Sequence, residues 1–468
     1  MIKKIRKICC IGAGYVGGPT MSVIADRCPH LEVNVVDTNE ERIKKWNSKD
    51  LTKLPIYEPG LEDVIERRRN KNLKFTSDVK ENIANADMIF ISVNTPTKSR
   101  GLGAGQASDL KWVDLCARQI AKYAKGETIV IEKSTLPVKT AQTINEILKS
   151  ANNYEEGTNK SKRKFFILSN PEFLAEGTAI SDLENPDRVL IGGEDPDAIN
   201  ALAEIYSYWV KKEKIITTDL WSSELSKLIS NAFLAQRISS INSISALCEI
   251  TGADIKDVSL AIGADKRIGK HFLKSGPGFG GSCFKKDILN LVYICNHYGL
   301  YEVSSYWQKV IKINEWQQKR ISSLIVEKLF GTLFNKKISI LGFSFKANTN
   351  DTRESPAINI CNDLIEEGAN LHIYDPKVNE KKIKEDLKNR VKSENINCFV
   401  EKSINECINN SHAIVIVTEW DEFRNLDWKE IYSKMEKPAW VFDTRNITKS
   451  AEILDAGFKF WRTGRNYF

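Results

Sequence analysis

The feature that most constrains the fold is a glycine-rich turn near the start of the chain. Gly12, Gly14 and Gly17 follow an apolar run at 7–11 and precede a helical stretch at 19–28. Glycines with this spacing allow a tight turn and let the backbone approach a pyrophosphate at the N-terminus of a helix. The spacing alone is a weak signal, but its place between a strand and a helix indicates a Rossmann-like dinucleotide site.

An acidic residue at the end of the next strand indicates which dinucleotide is bound. Asp37 closes the apolar run at 31–37. A carboxylate at this position hydrogen-bonds the adenosine ribose and repels a 2′-phosphate. The sequence therefore predicts NAD rather than NADP as the cofactor. The alternative is a glycine turn with a purely structural role.

Strands and helices alternate in both halves of the chain, with a long helix between them. Such alternation is typical of doubly wound α/β domains with largely parallel sheets. Between 220 and 251 there is no glycine or proline, which predicts one helix of roughly 45 Å. Further buried strands are expected at 88–93, 128–132, 165–169, 188–192, 338–341, 371–374, 413–417 and 440–442, with a helix at 356–367.

The predicted fold is two Rossmann-like doubly wound α/β domains joined by a long central helix and a helical dimerisation region. We expect an NAD-binding domain at 1–215, a central helical region at 216–330, and a second Rossmann-like domain at 331–468. Polar stretches at 151–164 and 377–397 are expected to form a surface loop and an exposed helix with a loop.

Composition excludes several classes of protein. The ten cysteines contain no C-x-x-C pair and the five histidines have no metal-ligand spacing, which indicates a cytoplasmic protein without a metal site. The net charge is +7, but the basic runs at 67–69 and 160–164 lack the interleaved aromatics of nucleic-acid sites. No apolar run approaches the roughly 20 residues that span a bilayer. The run at 7–11 is interpreted as the first strand, not a secretory leader.

The segment at 276–287 carries the strongest chemical signal. Its crowded glycines indicate backbone close to a ligand, and Ser282 is a good N-cap that would place Cys283 in the first turn of a helix. The partial positive charge of a helix N-terminus favours a nucleophilic thiolate. Asp287 lies four residues on, so its carboxylate shares the helical face with the sulfur. An isolated cysteine is usually an inert packing residue, but these surroundings indicate a nucleophile.

Two further pairs are candidates for catalysis. Lys227 and Asn231 share one face of the long helix, where an ammonium and a carboxamide would stabilise an oxyanion; a solvated face fits them equally well. Glu172 and Thr135 follow apolar strands, and ligands bind at the carboxyl ends of strands in open α/β sheets. They are a candidate general base and a candidate water holder, although a turn with a helix cap fits as well.

The second α/β domain begins with a different turn. It reads Leu341-Gly-Phe-Ser-Phe-Lys-Ala and lacks the second and third glycines, so it should not bind a dinucleotide in the same manner. Lys346 and Arg353 near this turn are better placed to bind a mononucleotide diphosphate. Surface cations without a ligand are the other interpretation.

Segments spread over the whole chain match one family of enzymes in the same order. They are Ile11-Gly-Ala-Gly-Tyr-Val-Gly-Gly-Pro-Thr20, Val93-Asn-Thr-Pro-Thr-Lys98, Glu132-Lys-Ser-Thr135, Ser169-Asn-Pro-Glu-Phe-Leu-Ala-Glu-Gly-Thr178, Trp221-Ser-Ser-Glu-Leu-Ser-Lys-Leu228, Phe233-Leu-Ala-Gln-Arg-Ile-Ser-Ser-Ile-Asn242, Gly278-Phe-Gly-Gly-Ser-Cys-Phe284 and Asp351-Thr-Arg-Glu-Ser355. With these segments the chain resembles the UDP-glucose 6-dehydrogenases of the UDP-glucose/GDP-mannose dehydrogenase family, in particular the eukaryotic ones.

The resemblance implies oxidation of UDP-glucose to UDP-glucuronate by two successive hydride transfers to NAD. The matching cysteine, Cys283, would form a thiohemiacetal and then a thioester, which water hydrolyses. Lys227 matches a residue that stabilises oxyanions, with Asn231 beside it. Glu172 matches the base for hydrolysis, with Thr135 helping to hold the water. The implied catalytic residues are Cys283, Lys227, Asn231, Asp287, Glu172 and Thr135.

The resemblance also implies the ligand contacts. Those near NAD would be Gly12, Gly14, Tyr15, Val16, Gly17, Asp37, Arg42, Val93, Thr95, Ser134, Thr135, Glu176, Cys283, Lys286 and Arg353. Those near the UDP-sugar would be Glu172, Phe173, Leu174, Lys227, Asn231, Phe272, Lys274, Gly280, Phe345, Lys346 and Arg445. Arg267 is expected to reach the substrate of a neighbouring subunit, in a homodimer or higher homo-oligomer with active sites near the interface.

Two other functions stay open. One is a dehydrogenase for another nucleotide sugar, such as GDP-mannose or UDP-N-acetylmannosamine, against which the segment at 173–179 argues. The other is a catalytically silent nucleotide-sugar binding protein. The joint presence of Cys283, Lys227, Asn231 and Glu172 argues against that.

Overall fold

The computed structural model describes residues 4–153, 163–388 and 397–466. The backbone contacts divide the chain into two compact units, Met1–Ser230 and Asn231–Phe468. Each unit is built on one sheet. Among the described residues, no helix is both long and apolar enough to cross a membrane.

The first unit contains an eight-stranded, largely parallel sheet. Its strands are β1 (Lys7–Ile11), β2 (Glu32–Val36), β3 (Leu73–Thr76), β4 (Met88–Ile91), β5 (Glu127–Glu132), β6 (Lys164–Ser169), β7 (Val189–Gly193) and β8 (Ile215–Thr218). The order is β3-β2-β1-β4-β5-β6-β7-β8, with β6 and β7 antiparallel and the other neighbours parallel. The central strands are continuous apolar runs because helices cover both faces of such a sheet.

Helices connect these strands, and several begin at a side-chain cap. Asn39, Asp78 and Asp195 each accept a hydrogen bond from the amide three residues on. The helices are α1 (Gly17–Arg27), α2 (Glu40–Trp46), α3 (Leu61–Arg68), α4 (Val79–Asn85), α5 (Lys111–Tyr123), α6 (Thr140–Asn153), α7 (Ala179–Glu184) and α8 (Pro196–Ser207), with short 3-10 helices at Leu51–Lys53 and Lys212–Lys214.

The predicted long helix is confirmed as α9, which runs without interruption from Leu220 to Thr251 over 32 residues. Its first residues are counted with the first unit and the rest with the second. The helical region continues with α10 (Ile255–Gly263), α11 (Phe284–His297) and α12 (Tyr301–Lys328).

The second unit contains a six-stranded sheet in which all neighbouring strands run parallel. Its strands are β9 (Lys337–Leu341), β10 (Asn370–Tyr374), β11 (Cys398–Val400), β12 (Ala413–Ile416), β13 (Trp440–Asp443) and β14 (Lys459–Arg462), in the order β11-β10-β9-β12-β13-β14. The helices around it are α13 (Pro356–Glu366), α14 (Glu380–Lys388), α15 (Ile404–Ile408), α16 (Trp428–Ser433) and α17 (Ser450–Asp455), with a 3-10 helix at Asp421–Phe423.

The six strands of the second sheet repeat the order of the first six positions of the first sheet, and a glycine follows the corresponding strand in each. Gly12 after β1 has φ +112°, and a Cβ atom there would lie 2.2 Å from the carbonyl oxygen of Ser92. Gly342 after β9 has φ +93°, and a Cβ atom there would lie 2.3 Å from the Thr418 side chain. Neither position tolerates a side chain, because the first strand turns directly against the end of its neighbour. The predicted fold class, two Rossmann-like sheets with a helical region, is confirmed.

Each sheet is buried on both faces. Along β1, Ile8 and Cys10 belong to one apolar cluster and Cys9 to another, as the two-residue period of a strand requires. Along β12, Val415 belongs to one apolar cluster and its neighbour Ile414 to another. Both units are therefore three-layered, and the carboxyl ends of the strands are left to carry polar side chains.

The structure adds detail to the two polar stretches. In the first, α6 continues to Asn153 and β6 begins at Lys164, while the expected surface loop and most of the basic run at 160–164 lie outside the described residues. In the second, the expected helix is α14, and the expected loop after it lies largely outside them.

Candidate active site

The glycine turn of the first unit has the shape of a pyrophosphate site. A Cβ atom at Gly17 would lie 2.0 Å from the carbonyl oxygen of Gly12, so the turn is packed tightly against the start of α1. A Cβ atom at Gly14 would meet no atom within 4 Å. The turn is therefore closed on one side and open at Gly14, next to the N-terminus of a helix that begins after Val16. These residues fit the pyrophosphate of NAD.

Asp37 stands where the adenosine ribose of NAD is expected. Its Oδ2 accepts a hydrogen bond from the Ala13 amide at 2.9 Å, and its Oδ1 accepts one from the Asn39 amide at 2.9 Å. The Arg42 guanidinium also donates to Oδ2 at 2.9 Å. The carboxylate is thus fixed between the glycine turn and the start of α2, and it is paired with Arg42, which was also expected near NAD.

Four predicted residues lie together at the carboxyl ends of β4 and β5. Ser134 donates its hydroxyl proton to the Val93 carbonyl at 2.7 Å. Thr95 donates to the Thr135 carbonyl at 3.1 Å. These bonds tie the two strand ends to each other at the edge where ligands of open α/β sheets bind.

The loop after β6 is tied to the glycine turn as well. The Gly177 amide, next to Glu176, donates to the Tyr15 hydroxyl at 3.3 Å and to the Glu58 carboxylate. The Ala179 amide donates to the other Glu58 oxygen at 2.9 Å. Glu58 is buried and was not identified from the sequence, because it lies in a polar loop far along the chain from the segment at 177–179 that it contacts.

Glu172 accepts hydrogen bonds on both oxygens. Its Oε1 accepts from the Phe173 amide at 2.8 Å and the Leu174 amide at 3.2 Å. Its Oε2 lies 2.9 Å from the Lys133 ammonium nitrogen and accepts from the Thr20 hydroxyl at 3.3 Å. Glu172 therefore does hold a local turn, but it does not cap a helix, since α7 begins at Ala179.

The charges around Glu172 decide its ionisation. Burial alone would raise the pKa of this carboxyl. The attraction of Lys133, its hydrogen bond, the Phe173 amide and the Lys227 charge outweigh burial and hold the pKa of Glu172 below its ordinary value. Glu172 is therefore a carboxylate across the neutral range.

Lys227 is buried against an aromatic ring. Its ammonium nitrogen lies 5.0 Å from the centroid of Phe173, and the Arg188 guanidinium carbon lies 3.8 Å from the same centroid. Leu174 packs against the core of the first unit. Because Lys227 and Asn231 are both buried, the interpretation of their helix face as solvated is wrong.

Cys283 is the exposed thiol of this chain. All ten cysteines lie in the described ranges, and the other nine are buried. The expectation that Ser282 caps the helix is wrong: Cys283 itself is the N-cap residue of α11, and Phe284 is the first helical residue. The Ser282 hydroxyl lies 3.5 Å from the Cys283 sulfur instead of reaching the first amides of the helix. The sulfur still stands at the positive end of α11.

Asp287 lies one turn after Cys283, as predicted. Its amide donates to the Cys283 carbonyl at 2.8 Å. Its buried carboxylate accepts a hydrogen bond from Asn231 Nδ2 at 2.6 Å and lies 3.4 Å from the Lys286 ammonium nitrogen. Asp287 therefore fixes the side-chain amide of Asn231.

The glycines before Cys283 face protein atoms. A Cβ atom at Gly278 would lie 2.7 Å from Asn314 Oδ1, and one at Gly280 would lie 2.5 Å from the Glu354 carbonyl oxygen. One at Gly281 would lie 3.0 Å from the Phe345 ring. At these three positions the crowding inferred from the sequence is real, but packing within the second unit explains it without a ligand.

Arg445 is held rigidly beside Phe345. Its Nε donates to the Val417 carbonyl at 2.7 Å and its Nη2 donates to the Phe345 carbonyl at 2.8 Å, with Glu419 Oε2 at 3.0 Å. The Lys346 ammonium nitrogen lies 5.7 Å from the Phe345 ring centroid. These cations lie at the carboxyl ends of the strands, where a nucleotide diphosphate was expected.

The remaining predicted residues lie at the surface. Arg353 pairs with Asp351 at 2.5 Å, and Arg267 pairs with Asp265 at 2.6 Å while 89% of its side chain is exposed. Phe272 has φ +60° and is exposed, as is Lys274.

The turn after β9 holds an anion of its own. Asp375, at the end of β10, accepts hydrogen bonds from the Phe343 amide at 2.7 Å and the Ser344 amide at 3.0 Å. Trp420 Nε1 donates to the same oxygen at 3.2 Å. This arrangement supports the prediction that the second turn does not bind a dinucleotide as the first does.

Comparison with known proteins assigns the family. Residues 6–210 match the NAD binding domain of the UDP-glucose/GDP-mannose dehydrogenase family, 221–316 its central domain and 339–450 its UDP binding domain. The chain belongs to this family. NAD is therefore the cofactor of the domain that carries the glycine turn.

Relatives match nearly the whole length of the chain. UDP-glucose 6-dehydrogenase 1 of Arabidopsis thaliana is 52% identical over 478 residues, covering 98% of this chain and 97% of the relative. UDP-glucose 6-dehydrogenase of Mus musculus is 53% identical over 472 residues, covering 99% and 94%. The structure of a UDP-glucose dehydrogenase from the archaeon Pyrobaculum islandicum superimposes with a TM-score of 0.82 at 28% identity, covering 98% of both chains.

Two charged residues at the end of β5 had no assigned role in the sequence argument. Lys133 pairs with Glu172, and Glu132 lies against Glu224 of α9. Both follow the apolar run at 128–131 directly. Charged residues at the carboxyl end of a buried strand are the signal that could have identified them.

Proposed function

We propose that this chain oxidises the 6-hydroxymethyl group of UDP-glucose to a carboxylate with two molecules of NAD. The observation that carries the proposal is the exposed Cys283 thiol at the start of α11, in a chain of this family. The relatives that are 52% and 53% identical are named UDP-glucose 6-dehydrogenases, which supports UDP-glucose as the substrate.

In the proposed reaction Cys283 keeps the aldehyde bound between two oxidations. When bound, NAD would supply the acceptor for the hydride that C6 loses in each of them. The first oxidation converts the hydroxyl to an aldehyde, and the sulfur adds to C6 to give a thiohemiacetal. Loss of the second hydride gives a thioester. Water then bonds to C6, and the C6–sulfur bond breaks. UDP-glucuronate is released, and the sulfur of Cys283 is left as a thiolate.

The charged and polar side chains have separate roles in this reaction. Lys227 and Asn231 stabilise the negative oxygen that develops at C6 in each step. Asp287 orients Asn231 through the 2.6 Å hydrogen bond. Glu172 accepts the proton of the attacking water, with Thr135 helping to hold that water. The ionised state of Glu172 supports this role.

The other assignments belong to the same proposal. The glycine turn, Asp37 and the ends of β4 and β5 bind NAD, while Phe345, Lys346 and Arg445 bind the UDP-sugar. The functional domains are 1–215, 216–330 and 331–468. The enzyme is cytoplasmic. It acts as a homodimer or higher homo-oligomer, since α9 and its neighbours expose large apolar side chains such as Phe233, Leu247 and Ile250.

The stoichiometry of NADH tests the proposal. We expect two NADH per UDP-glucose, because one cysteine site performs both oxidations. Cys283→Ser should bind both ligands but lose nearly all turnover, while Cys295→Ser, which removes a buried thiol of the same helix, should keep it. The measurement is nicotinamide absorbance at limiting substrate.

Three results would contradict the proposal. A ratio of one with free aldehyde in solution would exclude the thioester. Normal turnover in Cys283→Ser would remove that residue from the mechanism. Faster oxidation of GDP-mannose or UDP-N-acetylmannosamine than of UDP-glucose in the same assay would assign another sugar.

A further inference from the structure

Lys133 is a buried cation that no step of the proposed reaction uses. Only 3% of its side chain is exposed. Its ammonium nitrogen lies 2.9 Å from Glu172 Oε2, 3.0 Å from Asn170 Oδ1 and 3.2 Å from the Tyr206 hydroxyl oxygen. An ammonium group has three protons, so each one has an acceptor. The group is therefore held in one position.

The acceptors of Lys133 are themselves fixed. Tyr206 donates its hydroxyl proton to Asn170 Oδ1 at 2.7 Å. Asn170 Nδ2 donates to the Leu190 carbonyl in β7 at 2.8 Å. The network thus joins the end of β5, the end of β6, β7 and α8. Lys133 cannot turn toward another partner without breaking buried hydrogen bonds.

The same network accounts for the charge on Glu172. Burial alone would lower the pKa of Lys133. The interactions with Glu172 and Tyr206 outweigh burial and raise that pKa, so Lys133 stays protonated. Lys133, Lys227 and Tyr206 are the titratable groups that act on Glu172 or respond to it. Cys10 on β1 also faces Lys133, and burial raises the pKa of its thiol, so it carries no charge. Removal of the Lys133 charge would leave burial as the dominant influence on Glu172.

We propose that Lys133 is the positioning residue of the hydrolytic step, which holds Glu172 ionised and oriented while water attacks the thioester on Cys283. This inference rests on the proposed function. The proton lost by the attacking water passes to the Glu172 carboxylate as the sulfur leaves, and only an ionised Glu172 can accept it. Lys133 acts through Glu172 and takes no part in either hydride transfer.

The test compares the pH dependence of thioester hydrolysis in variants of Lys133. Lys133→Gln keeps a hydrogen-bond donor but removes the charge, and Lys133→Met removes both. The matched control is Lys214→Met, which removes a partly buried ammonium group bonded to the Pro186 carbonyl in the same unit. Rapid quenching followed by intact-mass analysis measures acyl-enzyme, and absorbance measures the NADH burst.

We expect the variants to keep the NADH burst and to accumulate acyl-enzyme. The acidic limb of the hydrolysis rate should move to higher pH by at least about one unit, so that hydrolysis is about tenfold slower at any pH on that limb and recovers at higher pH. Lys214→Met should retain the wild-type profile. A wild-type profile in folded Lys133→Gln would overturn the proposal.

A second comparison separates positioning from a general structural role. In a Glu172→Gln background, Lys133→Gln should change hydrolysis no further, because the group through which it acts is gone. Equal slowing in both backgrounds would also overturn the proposal. If Lys133→Met fails to fold because it leaves a buried carboxylate unpaired, Lys133→Gln and the double variants still decide the question. Failure of the wild-type enzyme to form two NADH would instead reject the proposed function.

Discussion

Asp37 and Arg42 show how cofactor choice depends on a pair of side chains. From the sequence alone, Asp37 is a carboxylate that repels a 2′-phosphate. The structure places the Arg42 guanidinium 2.9 Å from it, and an arginine at this edge is the residue type that accommodates the 2′-phosphate of NADP. Preference for NAD therefore requires that Asp37 keep Arg42 engaged.

Replacement of Asp37 should release that arginine. We expect Asp37→Ala to raise the ratio of kcat/KM for NADP to that for NAD by at least about tenfold, since the freed guanidinium can pair with the extra phosphate. Steady-state kinetics with both cofactors provide the measurement. The double variant Asp37→Ala, Arg42→Ala should lose the gain, and an unchanged ratio in the single variant would contradict the argument.

The long helix α9 buries several polar side chains and exposes several large apolar ones. Glu224, Lys227 and Asn231 are buried beside apolar residues such as Leu228, whereas Phe233 and Ile250 are exposed. A surface helix usually exposes its polar side chains and buries its apolar ones. The buried side serves charged and hydrogen-bonded chemistry, and the exposed side offers apolar area to another chain.

The contact of α9 with β5 contains two acids that share one proton. Glu224 accepts hydrogen bonds from the Lys139 amide at 2.8 Å and the Ala141 amide at 2.9 Å, at the start of α6. Glu132 is buried and neither of its oxygens has another partner among the described residues. Burial and the neighbouring Glu224 raise the pKa of Glu132 well above its ordinary value. Glu132 is therefore the neutral member, which donates to Glu224.

Glu132→Gln should stabilise the enzyme increasingly as the pH rises. The pKa of Glu132 is higher in the folded than in the unfolded protein, where it is about 4.5. The free energy of unfolding is therefore unaffected below pH 4.5, and it falls as the pH rises through the folded-state pKa. Glutamine stays neutral and can still donate to Glu224, so it avoids that loss. We expect the difference in Tm between variant and wild type to grow from pH 5 to pH 8.

The control for this measurement is Glu127→Gln, at the exposed start of the same strand. Its Tm difference from wild type should not depend on pH in this way. If the Tm difference between Glu132→Gln and wild type did not depend on pH, Glu132 and Glu224 would not share a proton.

Sequence patterns identified the interior of both sheets but not their edges. The four strands that were not predicted, β3, β8, β11 and β14, are the outermost strands of the two sheets. Interior strands are continuous apolar runs because both faces are covered. An edge strand such as β8 is largely exposed and carries no such run, so periodicity does not reveal it.

The site was predictable to the extent that its signals are local. Cys283 and Asp287, or Lys227 and Asn231, are related by helical spacing and could be paired from the sequence. The ion pair of Lys133 with Glu172 joins the ends of two neighbouring strands, and the proton between Glu132 and Glu224 joins a strand to a helix. Such pairs depend on strand order, which no local pattern contains.

At the scale of the whole molecule, Arg267 is the residue whose expected role needs a second chain. Among the described residues of one chain its guanidinium pairs with Asp265, next to the end of α10. That contact orders the loop, but it leaves most of the side chain exposed. The exposed apolar side of α9 favours a second copy of this chain as the partner.

Mixing two inactive variants tests this role. Arg267→Ala keeps its own Cys283, and Cys283→Ser keeps its own Arg267. If Arg267 acts across the interface, mixed dimers contain one complete site, and we expect activity that neither variant has alone. Proven subunit exchange without recovery of activity would place Arg267 in its own chain.

The carboxylate inside the second glycine turn has a consequence for ligand stoichiometry. Asp375 is delivered to the Phe343 and Ser344 amides by the fold itself. This tethered anion occupies two amides of the second turn, whereas Asp37 accepts one amide of the first turn, that of Ala13. We therefore expect a rising NAD concentration to load the first turn. The expected result is one dinucleotide per chain, with the second turn left to a different nucleotide.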